Sequence, residues 1–222
     1  FENNKEETIT IHALLGEGGD KCIKPMEEMT SRYHQTIRFY SMKDVQTDDF
    51  PVGLHYQESF ITKEAYFRLF VMEVLPKDLE KVLYLDVDMV ICDSIRELWN
   101  TDLSDVAVGA VPDCFHQDIH QANRIGYEVG LGIFNSGVLL INLNYWREHH
   151  VMNSFIAYAR EAKDHLKYHD QDVLNYVFRH SKIELPIRFN LQTIHMYQER
   201  FLYLHFRYFE EIREAFRHPV DA

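Results

Sequence analysis

At 222 residues the chain is long enough for one sizeable core, and 46% apolar with 14% aromatic content excludes wholesale disorder. Lys and Arg number 23 against 35 Asp and Glu, and the net charge of −12 disfavours nucleic acid and anionic lipid in the absence of a basic patch, which is not evident. Three cysteines, Cys22, Cys92 and Cys114, are too few and too scattered for a disulfide framework or a Cys-based zinc site, so a cytoplasmic setting is expected; no apolar run approaches the ~18 residues of a membrane span.

FENNKEE reads as the end of a helix whose body lies upstream. TITIHALL (8–15) and TIRFYSM (36–42) alternate as strands, with a polar helical segment between them. TKEAYFRLFVMEVLP predicts a helix capped by Thr62 and stopped by Pro76, apolar on nearly every side and therefore buried. KVLYLDVDMVI (81–91) predicts a buried strand, DSIRELWNTDL a short helix and VAVGAVPD a strand. IFNSGVLLINLNYW predicts a strand interrupted by the small residues Asn135-Ser136-Gly137. Residues 145–164 and HDQDVLNYVFRH predict helices, as does YFEEIREAFRH near the end. Strands alternating with helices predict a single α/β domain over residues 1–222, with a mostly parallel central sheet and helices on both faces. The approach to a further strand at HPVDA predicts a fragment.

An ionised carboxylate removed from water costs several kcal/mol unless paired, so two of them in an apolar run, Asp86 and Asp88, call for a positive partner. Residues two apart on a strand face one way, and a bend at the strand end lets both carboxylates meet one hard divalent cation, Mn²⁺ or Mg²⁺. A solvent-exposed turn is the plain alternative. The Asn135-Ser136-Gly137 turn lets backbone approach a ligand, or forms a β-bulge that redirects the strand. Asp170, Gln171 and Asp172 open a helix, where Asp170 can cap and Asp172 can complement the dipole. Arg68, among Phe67, Leu69 and Phe70, needs an anion: Glu64 one turn back, or a ligand phosphate. His116 and His120 have zinc spacing but lack a third ligand. The aromatic run MYQERFLYLHFRYF is assigned to core packing rather than to nucleic-acid stacking.

Taken in order, AYFRL, VLYLDVDMVI, AVPD, IFNSGVLLINLNYW, HDQDVLN and LPIRFN resemble the retaining family 8 glycosyltransferases, the bacterial lipopolysaccharide galactosyl- and glucosyltransferases and their glycogenin-like relatives. The resemblance is densest from Thr62 to Asn190. It implies a GT-A, Rossmann-like fold that binds UDP-glucose or UDP-galactose with Mn²⁺ and passes the hexose to a saccharide acceptor such as lipopolysaccharide core, with at most peripheral contact at the inner face of the membrane. Carried over by motif, Asp86 and Asp88 are the metal ligands and Arg68 contacts the donor. Asn135, Ser136, Gly137 and Asp170 border the donor sugar, Gln171 and Asp172 lie near its anomeric carbon, and Asp113 faces the acceptor. The resemblance also implies that a strand and helix precede FENNKEE and that a late His completes the metal site beyond this chain; His218 is not assigned to that role.

For retention, Asp172 is a better nucleophile than Gln171, and a same-face route needs neither. An aspartyl-phosphate type Mg²⁺ phosphatase also places D-x-D after an apolar strand, but Val90 stands where such sites carry Thr or Ser. A nucleotide-sugar-binding protein without turnover is the non-enzymatic alternative.

Overall fold

The computed structural model describes residues 1–51, 63–113, 118–128 and 130–192. Thr62, Cys114, His116, the aromatic run 196–209, the helix expected at 208–218 and His218 lie outside the described residues.

Strand β1 (Thr10–Leu15) pairs in parallel with β2 (Thr36–Ser41), and α1 (Asp20–Arg32) supplies the crossover that a parallel pair requires. Residues 62–76 do not form the regular α-helix expected. A 3-10 segment, Lys63–Phe70, passes into a single α turn, α2 (Val71–Val74). The element is buried as predicted, with Tyr66, Leu69, Phe70, Val71 and Met72 in the core. Inside it the Arg68 Nε donates to the Ala65 carbonyl at 3.1 Å, drawing on an oxygen that an α-helix would reserve for its ladder.

A four-stranded sheet follows, built from β3 (Lys81–Leu85), β4 (Val108–Pro112), β5 (Phe134–Asn142) and β6 (Lys182–Glu184) in the order β3-β5-β4-β6. β6 parallels β4, while β5 is antiparallel to β3 and β4. Three strands therefore share a direction, and β5 alone is reversed between them. The expectation for 81–91 needs shortening, because β3 stops at Leu85 and Asp86 begins a turn. It is also an edge strand of its sheet and only half-buried, and Val87 and Val90 beyond it are exposed.

Alternation along the strands gives each face of this sheet its own core. Val82, Tyr84, Val108, Ala110, Leu139 and Ile141 join the larger cluster. That cluster is covered by α5 (Leu143–Glu148), α6 (Val151–Glu161) and α7 (His169–Val177) together with the 63–74 segment. Leu83, Leu85, Val111, Val138 and Ile183 face the other way, onto Leu98 of α3 (Arg96–Trp99) and Ile187 and Phe189 of a short 3-10 turn. Trp146 anchors the larger core: it is fully buried, packs on Phe155 and Phe178, and gives its Nε1 proton to the Ala107 carbonyl at 3.0 Å. The helix expected over 145–164 is two helices, broken where His150 adopts the left-handed region at φ 49°. Neither β6 nor the six-residue α4 (Ile119–Arg124), capped by Asp118, was legible in the sequence. Among the described residues no helix is long and apolar enough to cross a membrane.

Candidate active site

The site is opened by a slip in register. Ala110 pairs with Leu139, yet the next pair along β4 is Pro112 with Phe134, so β5 has residues to spare between its two anchors. Four residues, Asn135–Val138, stand opposite the single Val111, an excess of three that forms a bulge at the small-residue stretch noted in the sequence. Asn175, fully buried on α7, pins its base: the side-chain oxygen accepts from the Phe134 N–H at 2.9 Å and the amide donates to the Phe134 carbonyl at 2.8 Å. Helix α7 is thereby fixed against the base of the bulge.

Arg68 is the hub of what gathers there. Its side chain is 8% exposed, and its guanidinium meets Asp86 Oδ1 at 2.9 Å and Asp170 Oδ2 at 3.1 Å. It also donates to the Ser136 carbonyl at 2.6 Å and lies over the Tyr84 ring, 4.6 Å from its centroid. The Tyr84 hydroxyl donates to the same Asp86 oxygen at 2.9 Å, and the Ser136 hydroxyl donates to Asp170 at 3.0 Å. Burial pushes the Asp170 carboxyl up to about 6, with Arg68 and Ser136 pulling it back toward the ionised form. Asp170 is thus no helix cap; α7 has no side-chain cap bond, and its carboxylate is turned to Arg68.

A second cluster adjoins the first. Asp113, buried just beyond β4, accepts from the Asn135 amide at 3.1 Å and the Gln171 amide at 3.2 Å. The other end of Gln171 accepts from the Ser136 N–H at 3.0 Å, so both ends of this carboxamide are held. Asn135 in turn accepts from the Gly137 N–H at 2.9 Å and from buried Asn190 at 2.8 Å. Arg68, Asp86, Asp113, Asn135, Ser136, Gly137, Asp170 and Gln171 are therefore brought into one contact network. Tyr84, Asn175 and Asn190 belong to it as well; they lie inside the motifs VLYLDVDMVI, HDQDVLN and LPIRFN, but none was singled out as a site residue.

Two predicted residues stand apart. Asp172 turns away to Arg124 on α4, a residue the sequence reading passed over. Asp88 is exposed on the turn after β3 and makes no contact with the network. Asp86 spends Oδ1 on Arg68 and Tyr84, whereas its Oδ2 accepts no hydrogen bond. One free carboxylate oxygen on Asp86 and the exposed carboxylate of Asp88 are hard, anionic oxygens of the kind Mn²⁺ or Mg²⁺ takes, and they would not complete a site by themselves. No group of three or more His, Cys, Asp or Glu side chains able to hold a metal occurs among the described residues, and His120 is exposed on α4.

A side chain at Gly137 would be crowded. A Cβ there would lie 3.0 Å from Asn135 Oδ1 and 3.1 Å from Asp86 Oδ2. Gly137→Ala is expected to destabilise the fold by about 1–3 kcal/mol, read as a lower urea midpoint.

The chain matches the family model described as Glycosyl transferase family 8 over residues 1–208. It is 32% identical over 167 residues to a putative glycosyltransferase of Haemophilus influenzae, covering 74% of this chain and 49% of the relative. It is 29% identical over 193 residues to a lipopolysaccharide 1,2-glucosyltransferase of Escherichia coli, covering 86% and 56%. The chain thus spans about half the length of these curated relatives. The solved galactosyltransferase LgtC, in complex with donor and acceptor sugar analogs, superposes with a TM-score of 0.74 at 27% identity, covering 96% of this chain and 85% of that one. The α/β, GT-A class of fold expected from the sequence is the one the chain adopts, and with the match running from Phe1 to Tyr208 the chain belongs to glycosyl transferase family 8.

Proposed function

We propose that this chain is the catalytic region of a retaining hexosyltransferase. It moves glucose or galactose from a nucleotide sugar, UDP-linked, to a saccharide acceptor such as lipopolysaccharide core, on the cytoplasmic side with at most peripheral membrane contact. The observation that carries the reading is the single network joining Asp86, Arg68, Asp170, Ser136, Asn135, Gln171 and Asp113 across five separate segments. Family membership and the names of the relatives support the same chemistry.

In this reading Asp86 and Asp88 hold Mn²⁺ (or Mg²⁺), which supplies electrostatic stabilisation of a departing diphosphate. Arg68 is consumed by protein partners, so it serves the donor by fixing the directions of Asp86 and Asp170. Asp170, Asn135 and the Ser136-Gly137 backbone border the hexose, and Gln171 sits at its reacting face. Asp113 orients Gln171 and Asn135 from the acceptor side. The phosphatase alternative needs Thr or Ser two residues after Asp88, where this chain has the exposed Val90.

We further infer that residues 1–222 form one domain, completed in the full-length protein by strand pairing at two free edges. The Asp86 N–H donates to the Gly137 carbonyl, so even-numbered residues of β3 face β5, and the peptide groups of Leu83 and Leu85 point outward without partners among the described residues. In β1 the carbonyls of Ile9 and Leu15 face β2, which turns the peptide groups of His12 and Leu14 to the open side. Such edges are costly unless covered.

The test is a screen of nucleotide sugars with and without Mn²⁺, on the full-length protein, following released nucleotide and transferred hexose. UDP-glucose or UDP-galactose is expected to be consumed in a metal-dependent way. Hydrolysis of generic phosphate esters with no response to UDP would overturn the assignment.

A further inference from the structure

The first turn of α7 carries two carboxylates with opposite engagements. Asp170 faces Arg68 and the bulge, while Asp172, 4% exposed, faces α4. Arg124 grips Asp172 with both terminal nitrogens, Nη1 to Oδ2 at 2.7 Å and Nη2 to Oδ1 at 2.8 Å. The backbone N–H groups of Lys167 and Tyr168 donate to Oδ2 at 2.7 and 2.8 Å. Arg124 also donates to the His165 carbonyl at 2.7 Å and to Gln121 Oε1 at 2.8 Å. One guanidinium thus ties the end of α4, the loop before α7 and the first turn of α7 together. Asp113, Gln121, Arg124, Gln171 and Asp172 line one small cleft, so the clamp lies against the active site rather than remote from it.

Geometry of this kind decides between roles. A carboxylate nucleophile must present a lone pair to the electrophile, and both Asp172 oxygens are committed to charge-assisted bonds, the strong class. Releasing either oxygen would strand a buried carboxylate or its guanidinium. Gln171, by contrast, reaches the bulge and Asp113, and its reach depends on where the first turn of α7 is held.

We propose that Arg124 and Asp172 are a positioning pair: they set the first turn of α7 so that Asp170 and Gln171 meet the bulge, and Asp172 forms no covalent glycosyl intermediate. The inference rests on the transferase reading.

The experiment uses the full-length protein with UDP-glucose and UDP-galactose, comparing the parent with Arg124→Lys, Arg124→Ala, Asp172→Asn and the Arg124→Ala/Asp172→Asn double variant. Arg124→Ala and Asp172→Asn are expected to lower kcat by similar factors, about 10–100-fold, with little change in donor KM. The double variant should be no slower than the slower single one, and Arg124→Lys should regain part of the loss. Asp172→Asn keeps the volume and an acceptor oxygen, so it remains informative if Arg124→Ala unfolds. Peptide mass spectrometry after incubation with donor alone should find no hexose on Asp172. Hexose on Asp172 overturns the proposal. So does a loss beyond about 10⁴-fold for Asp172→Asn while Arg124→Ala turns over normally, or parent-like kcat in both. A parent that consumes no nucleotide sugar defeats the transferase reading and this proposal with it.

Discussion

Asp88→Ala, in the full-length protein, is expected to leave folding stability within about 0.5 kcal/mol of the parent and to lower hexose transfer at least a hundredfold, ~2.7 kcal/mol in the barrier. The first half follows from exposure: Asp88 sits on the turn after β3, makes no hydrogen bond or ion pair, and supports no packing. The second follows from charge. A unit pair 4 Å apart at an effective dielectric near 20 is worth ~4 kcal/mol, so the expected loss is already discounted for solvent. Asp86→Ala is expected to lose as much activity and, unlike Asp88→Ala, to lose stability, because Arg68 and Tyr84 forfeit their acceptor. Urea denaturation, calorimetric titration with Mn²⁺ and nucleotide-release assays separate the two variants. Near-normal turnover and Mn²⁺ affinity in Asp88→Ala would sink the metal assignment.

What the sequence disclosed and withheld follows the range of the forces involved. Alternation in TITIHALL and TIRFYSM is local, and both strands formed within a residue or two of expectation. The strand at KVLYL was equally plain, but its extension to Ile91 was not justified: Val87 and Val90 look like core residues and are exposed. Its end coincides with the turn at Asp86, beside the point where β5 bulges, and β5 lies far along the chain. β6 is three residues long and exists through pairing with β4, so no local period could announce it. The break at His150 rests on a left-handed histidine, where glycine would have given a signal.

The site divides in the same way. Asp86, Asn135 and Asp170 stood out because polar residues interrupted apolar runs or opened a helix. Arg124 sits on an element that no local pattern announced, Asn175 and Asn190 sit within HDQDVLN and LPIRFN without standing out there, and each acts through a contact between distant segments. Arg68 was read as a cation seeking an anion, and it found two carboxylates of the protein itself. The expectation of a ligand phosphate treated Arg68 in isolation. Two aspartates separated by the whole middle of the chain were available, and the fold brought both to one guanidinium.

The larger stability effect belongs to that guanidinium. Arg68→Met keeps the apolar stem and removes the charge, leaving Asp170 buried with only the Ser136 hydroxyl and Asp86 with Tyr84. Breaking a buried pair from one side costs about 3–5 kcal/mol, which for a domain of this size lowers Tm by about 10 °C. The loss should also depend on pH in a defined direction. Burial already raises the Asp170 carboxyl to about 6 with Arg68 present, and without Arg68 it moves higher. A carboxyl raised in the folded state contributes most below its unfolded value near 4, and that contribution is lost as pH rises through the folded value. In the parent the decline ends once pH passes about 6, whereas in Arg68→Met it continues upward. The stability gap between the two proteins is therefore expected to be smaller at pH 5.5 than at pH 8. Urea midpoints at both pH values measure it. A gap that is constant, or wider at the lower pH, would mean that Asp170 is not the group Arg68 holds ionised.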